Sequence, residues 1–215
     1  MPAPTPQRAR RSHAERSRET QDHLIDTAIG VIQDKSFQGA TIFEIAKSAG
    51  LTPGALQHHF GSKSALMMRV ADRLIELGAA SGGIWPDARA PLPERAEALV
   101  RTAWERIYAP PRFLAAWNVY FGSSTDEAVR AYIADKRLAL QQGLRTRFHA
   151  SFPELAGRTD ADAFIDMVFT TLRGLGLLRL FGPQAAECEA QLGALAQTIV
   201  RHCGPIGTSS NGDTR

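Results

Sequence analysis

The sequence predicts an all-α protein: a three-helix N-terminal unit containing a helix-turn-helix, followed by a larger helical domain. Three observations lead there. Apolar residues recur at helical spacing through most of the chain, and no stretch alternates convincingly at period two. Ser, Thr or Asp often stands just ahead of such stretches and Gly or Pro just after them, as helix caps require. At 215 residues, 44% hydrophobic and 22% charged, the chain has an ordinary composition for one or two domains with a sizeable core.

The elements follow in order. Residues 1–17 mix Pro, Arg, Ser and Ala without periodicity and are expected to form a disordered basic arm. From about Arg18 a helix begins, with Leu24, Ile25, Ala28, Val31 and Ile32 as one stripe, and Phe37 and Gly39 end it. Thr41 caps a short helix whose inner residues are Ile42, Ile45, Ala46 and Ala49. Gly50 permits a left-handed turn, and Leu51 plugs the angle. Thr52 and Pro53 then start a second short helix, with Leu56 and Phe60 on its buried side. A short polar helix held out in this way suits the DNA major groove.

Ser62 caps a long helix carrying Leu66, Met67, Val70, Leu74 and Leu77, which Gly78, Gly82, Gly83 and Pro86 bring to a stop. Five further helices are expected: about Pro93 to Tyr108, Arg112 to Phe121, Thr125 to Ser151, Asp160 to Phe181, and Gln184 to Cys203. Ser124 is the expected cap of the third, with Val129, Ile133, Leu140, Leu144 and Phe148 inside. Four segments result: a basic arm (1–17), a helix-turn-helix domain (18–64), a larger helical domain (65–203) and a disordered tail (204–215).

Composition excludes several classes. No run of about 18 apolar residues offers a membrane span, and the N-terminus has arginines but no apolar signal core. Cys188 and Cys203 form no CxxC pair, so a reducing cytoplasm is expected. The sequence holds no GxSxG, no HExxH, no phosphate-binding glycine loop and no justifiable carboxylate pair, so no enzyme and no cofactor is expected. Residues 1–69 carry nine Lys/Arg against six Asp/Glu, whereas residues 70–215 carry sixteen of each. The whole net charge of +3 therefore lies with the helix-turn-helix and its arm, which favours a polyanion at that end.

The order helix, TIFEIAKSAGLTPGALQHHFGSK and long linker helix resembles the TetR family of transcriptional regulators. The match runs from roughly Leu24 to Leu74; RGLGLLRLF in the penultimate helix also looks like the dimerisation helix of many members. The resemblance implies a cytoplasmic, bacterial-type homodimeric repressor with a helical ligand-binding and dimerisation domain, nucleoid-associated when bound to an inverted-repeat operator and released by a small-molecule effector, or else a DNA-binding regulator without such an effector. Carried onto this chain, Thr41 and Lys63 would meet backbone phosphate, and Thr52, Pro53, Gly54 and Ala55 would present the front of the recognition helix to base edges. Gln57 and His58 would face the groove, and His59 phosphate or the groove wall. Gln57 departs from the tyrosine common in the family: either a phosphate contact is lost or the position has become a reader of an adenine edge.

Other readings stay open. His58 and His59, being adjacent, point about 100° apart and chelate a metal poorly, so no metal site is expected. Arg8, Arg10 and Arg11 either enter a minor groove or belong to a nonspecific tail. Trp104, Tyr108, Phe113, Trp117, Tyr120 and Phe121 either line an apolar or aromatic ligand cavity, together with Arg173, or fill a bundle core. The penultimate helix is apolar on several sides, so either a second subunit or core packing covers it. An intersubunit four-helix bundle would use Phe164, Val168, Leu172, Leu175 and Leu178 with Leu192, Leu195 and Ile199.

Overall fold

A computed structural model describes residues 13–79, 83–182 and 185–205. Nine α-helices form among them and no strand: α1 His13–Gly39, α2 Ile42–Ser48, α3 Pro53–Phe60, α4 Lys63–Ala79, α5 Leu92–Ala103, α6 Pro111–Gly122, α7 Glu127–Ser151, α8 Ala161–Leu178 and α9 Ala185–Cys203. The chain divides into two compact units. Unit 1 holds residues up to Ile75 together with Ala115–Ile133, and unit 2 holds Glu76–Leu114 and the residues from Ala134 onward.

In unit 1, the α1 residues Leu24, Ala28 and Ile32 are fully buried among Ile45 and Ala46 of α2, Leu56 of α3 and Leu66 and Val70 of α4. Ala115 and Val119 of α6 and Val129 of α7 join the same core. Residues 65–75 and 115–133 thus pack with the helix-turn-helix, a different division from the single cut after residue 64 that the sequence suggests. Long-range polar contacts accompany that packing: Ser64 donates to Asp126 at 2.5 Å, and the Tyr132 hydroxyl donates to Asp72 at 2.7 Å. The Ser64 hydroxyl, with the backbone N–H of Val129, holds the Asp126 carboxyl below its usual range.

Unit 2 has its own core, in which Leu99 of α5, Phe148 of α7, Ile165 and Leu172 of α8 and Ile199 of α9 are fully buried. α5 loosens at its end into a π turn, Trp104–Tyr108, closed by the bond from Ala109 N to Trp104 O at 2.8 Å. The carbonyls exposed there accept from arginines: Arg112 serves Arg106, and Arg179 serves Ala109 and Tyr108. Burial pushes the Tyr108 phenol up to about 12.

Several expectations need correction. α1 starts at His13, not Arg18, and Glu15 and Glu19 near its start suit a helix N-terminus, so residues 13–17 are helical rather than part of a disordered arm. Residues 1–12, with Arg8, Arg10 and Arg11, and the tail from 206 lie outside the described residues. Asp126, not Ser124, caps α7, accepting from Val129 N at 3.2 Å; a carboxylate two residues nearer the helix reaches the free N–H groups. Asp160 precedes α8 without a side-chain cap bond, because its carboxylate is taken by Arg158. Leu140 is 40% exposed, not inner.

The largest correction concerns α8 and α9. Phe164, Val168, Leu172, Leu175, Leu192, Leu195 and Ile199 are all buried within their own protomer; of the eight residues expected to face a partner, only Leu178 is exposed. The apolar excess of α8 lies on another stripe, where Met167 and Leu178 are 46% and 42% exposed, and Phe181 in the turn just beyond the helix is 81% exposed.

One glycine couples the unit 1 elements tightly. A Cβ at Gly122 would lie 2.1 Å from the Phe37 ring, well inside van der Waals contact. The ring's root, not a flexible tip, stands in the way. Gly122→Ala is therefore expected to cost about 1–3 kcal/mol, as overpacking does, lowering Tm by roughly 2–4 °C per kcal/mol. A thermal melt identical to that of the unaltered protein would contradict this.

Candidate nucleic-acid interface

Local chemistry builds the helix-turn-helix. The Thr41 hydroxyl accepts from Glu44 N at 3.1 Å and so caps α2; Thr52 does the same for α3, accepting from Ala55 N at 3.1 Å. Pro53 occupies the first helical position, where its missing N–H costs nothing. Between them the chain turns through Gly50, at φ +69°, a conformation that favours glycine. Leu51 N donates back to Ala46 O at 2.9 Å, and its side chain is half-buried in the bend. Gly61, at φ +72°, ends α3, and Ser62 caps α4 by accepting from Ala65 N at 3.1 Å.

α1 braces both short helices. Its Lys35 pairs with Glu44 at 2.5 Å and holds that carboxyl below the usual range. His23 Nε2 lies 3.2 Å from Ala49 O at the end of α2, and Gln21 donates to His59 O at 3.5 Å. Leu56 is fully buried, which fixes the rotation of α3 about its axis. What α3 then presents outward is decided by helical geometry.

Of the nine residues assigned to DNA, Thr41, Thr52, Pro53, Gly54, Gln57 and His58 are exposed, while Ala55, His59 and Lys63 are half-buried. A Cβ at Gly54 would meet nothing nearer than Thr52 Oγ1 at 3.9 Å, so the fold itself does not demand glycine there. Lys63 has a local seat: its ammonium stands 4.5 Å from the centre of the Phe37 ring and donates to Phe37 O at 3.5 Å. Burial lowers its pKa, yet an ammonium keeps further donors for a second acceptor. The rings of His58 and His59 meet edge to face at 5.7 Å. No group of three His, Cys, Asp or Glu side chains able to hold a metal ion occurs among the described residues.

The seven ligand candidates are divided between the units. In unit 2, Tyr108 and Phe113 meet edge to face at 5.3 Å, and the Phe113 ring covers Gly176 of α8, one turn from Arg173. In unit 1, Trp117, Tyr120 and Phe121 touch one another along α6, and Tyr120 and Phe121 are 39% and 52% exposed. A groove of about 680 Å³ lies between α5 and α9, with Val100, Trp104, Leu192, Ala196 and Val200 in its lining. Trp104 is the one expected ligand residue that lines it. Sequence reading missed that groove and the exposed Phe43 of α2. The small residues Gly193 and Ala196, spaced three apart on α9, were the available signal for the first, and a phenylalanine off the buried stripe for the second.

Comparison with known proteins places these features in company. The model of "Bacterial regulatory proteins, tetR family" matches residues 24–70. The HTH-type transcriptional regulator BetI of Rhizobium meliloti (strain 1021) is 25% identical over 186 residues, covering 83% of this chain and 87% of that protein. The HTH-type transcriptional regulator CymR of Pseudomonas putida is 40% identical over 67 residues, which are 31% of this chain and 33% of that one. Among solved structures, a transcriptional regulator from Rhodococcus sp. Rha1 superposes with a TM-score of 0.66 at 19% identity, covering 85% of this chain and 96% of that one. A regulator from Saccharomonospora viridis, crystallised in complex with choline, gives a TM-score of 0.63 at 18% identity over 86% and 97% of the two chains.

Proposed function

The chain belongs to the TetR family of DNA-binding transcriptional regulators, and on that premise we propose that it is a homodimeric repressor of an inverted-repeat operator, released by a small apolar or aromatic ligand. The observation that carries the DNA part is the front of α3. Thr52, Pro53, Gly54, Gln57 and His58 stand exposed on a helix whose opposite side is locked by the fully buried Leu56. Gly54 leaves room for close backbone approach, and Gln57 supplies an amide that can pair with an adenine edge.

In this reading Thr41 and Lys63 grip phosphate, with His59 at the groove wall, and each subunit fills one major groove. Two-fold symmetry then sets the half-sites about one helical turn apart, ~34–36 Å. The dimer is supported by the exposed α8 residues Met167, Gly174 and Leu178, continued by Phe181 in the turn just beyond, an apolar surface that a second copy would cover. The effector is supported by the groove of about 680 Å³ between α5 and α9, whose lining includes Trp104. Its binding shifts the population towards a dimer whose reading heads no longer fit the operator spacing. The contacts Ser64–Asp126 and Tyr132–Asp72, which tie α4 to the 115–133 segment, are the means by which such a shift would reach α3. A regulator of this kind acts in a bacterial-type cytoplasm, nucleoid-associated when bound to its operator.

The test is selection of bound duplexes from a random pool, followed by binding of two variants across a salt series. Lys63→Ala is expected to weaken binding to every duplex and to shallow the salt slope by about one ion. Gln57→Ala is expected to relax sequence preference at one position of each half-site instead. Operator binding that survives both unchanged assigns the wrong surface to DNA.

A further inference from the structure

Phe43 is conspicuous by its place. It belongs to α2, and 61% of its surface is open. The other apolar residues of that helix, Ile42, Ile45 and Ala46, and Ala49 at its C-terminal cap, all pack in the unit 1 core. An exposed phenyl ring keeps apolar surface in water, and among the described residues it joins neither core.

Helical geometry says which way it faces. Phe43 and Lys47, four apart, share one flank of α2, and both are exposed. Glu44 lies about 100° further round and is held by Lys35 of α1. The Phe43–Lys47 flank therefore lies beside the Glu44–Lys35 contact, open to solvent. In a helix-turn-helix the first helix crosses the DNA backbone at the edge of the groove that the second one enters. An apolar ring beside an ammonium matches that edge, where a thymine C5-methyl and a phosphate lie close together.

Resting on the DNA-facing reading of α2 and α3, we propose that Phe43 is a specificity-determining residue that packs on the C5-methyl group of a thymine beside the bases under α3, with Lys47 on an adjacent phosphate. The ring reads a methyl group that hydrogen bonding cannot see. It compensates for a recognition helix whose Gly54 and Ala55 offer little to base edges.

Uracil lacks that methyl group and changes nothing else on the base. The full-length chain is therefore titrated against its selected operator, with each thymine replaced singly by uracil. One replacement per half-site should weaken the unaltered protein about four-fold, the size expected for one buried methyl group. Phe43→Ala should bind the thymine operator at least about four-fold more weakly and become indifferent to uracil at that position. Its far-UV circular dichroism should be unchanged, because the side chain is exposed. Lys47→Ala should keep the uracil effect and shallow the salt slope by about one ion. A Phe43→Ala protein that binds as tightly as the unaltered one, or that still senses the same uracil, overturns the assignment. Where Gln57→Ala shifts preference and Phe43→Ala does not, this inference alone fails. Where the unaltered protein selects no duplex, the DNA-facing reading fails and takes it along.

Discussion

Gly174→Arg is expected to yield a folded monomer that has lost operator binding. Gly174 is exposed on α8, and a Cβ built there meets nothing within 4 Å, so an arginine costs the protomer little. In the proposed dimer this stripe faces its own copy across the two-fold axis, so two like charges would be forced into an apolar contact with Leu178 and Phe181 nearby. Monomer binding forfeits the second half-site and its effective concentration, which lowers affinity by roughly 10²–10⁴-fold. Analytical ultracentrifugation reads the mass and fluorescence anisotropy the affinity. A dimer of unchanged stability would move the interface off this stripe. Leu192→Ala behaves differently: it hollows the protomer core, so it should lower Tm whether or not a dimer forms.

Arg95→Ala should produce the largest loss of stability in unit 2. Arg95 is 4% exposed, donates to Ser151 O at 2.7 Å, and forms a forked pair with Glu154. Its guanidinium also stands 5.3 Å from the centre of the Phe152 ring. Removing it leaves a cavity and an unserved carbonyl, while the partly exposed Glu154 carboxylate turns to water, a loss of about 2–4 kcal/mol. At roughly 2–4 °C per kcal/mol, Tm should fall by about 10 °C.

The pH dependence follows from Glu154, whose carboxyl the Arg95 guanidinium holds below its ordinary value of 4.5. A depressed carboxylate adds stability that is present in full above the ordinary value and lost as pH falls through the folded one. The gap in Tm between the unaltered protein and Arg95→Ala should therefore narrow below about pH 4.5. A gap that stays constant down to pH 3 would assign the loss to packing alone.

The helix-turn-helix was legible because its determinants are local. Thr41 and Thr52 cap through bonds to residues three positions away, Gly50 and Gly61 take positive φ, and Leu56 sets the rotation of α3. Each of these lies within a few residues of what it controls, so spacing alone reveals it. Asp126 was missed as the cap of α7 because Ser124 and Asp126 both precede the same apolar run, and the bond to Ser64 that fixes Asp126 comes from 62 residues away. Arg95 gave no signal at all, since an arginine on a helix is ordinarily solvated, and its partners Ser151 and Glu154 lie 56 and 59 residues further on.

By itself, then, the sequence determined an all-helical chain, the positions of its helices to within a few residues, and a helix-turn-helix with its exposed and buried sides. Periodicity and capping are properties of neighbours, and they need no knowledge of the rest of the fold. Tertiary structure decided what those helices meet. It sent Phe164, Leu172 and Ile199 into their own core and left Met167, Leu178 and Phe181 outside, because an apolar side chain says only that it must leave water. It also gathered residues 115–133 into the unit that carries the reading helix, a choice made by packing partners far apart in the chain.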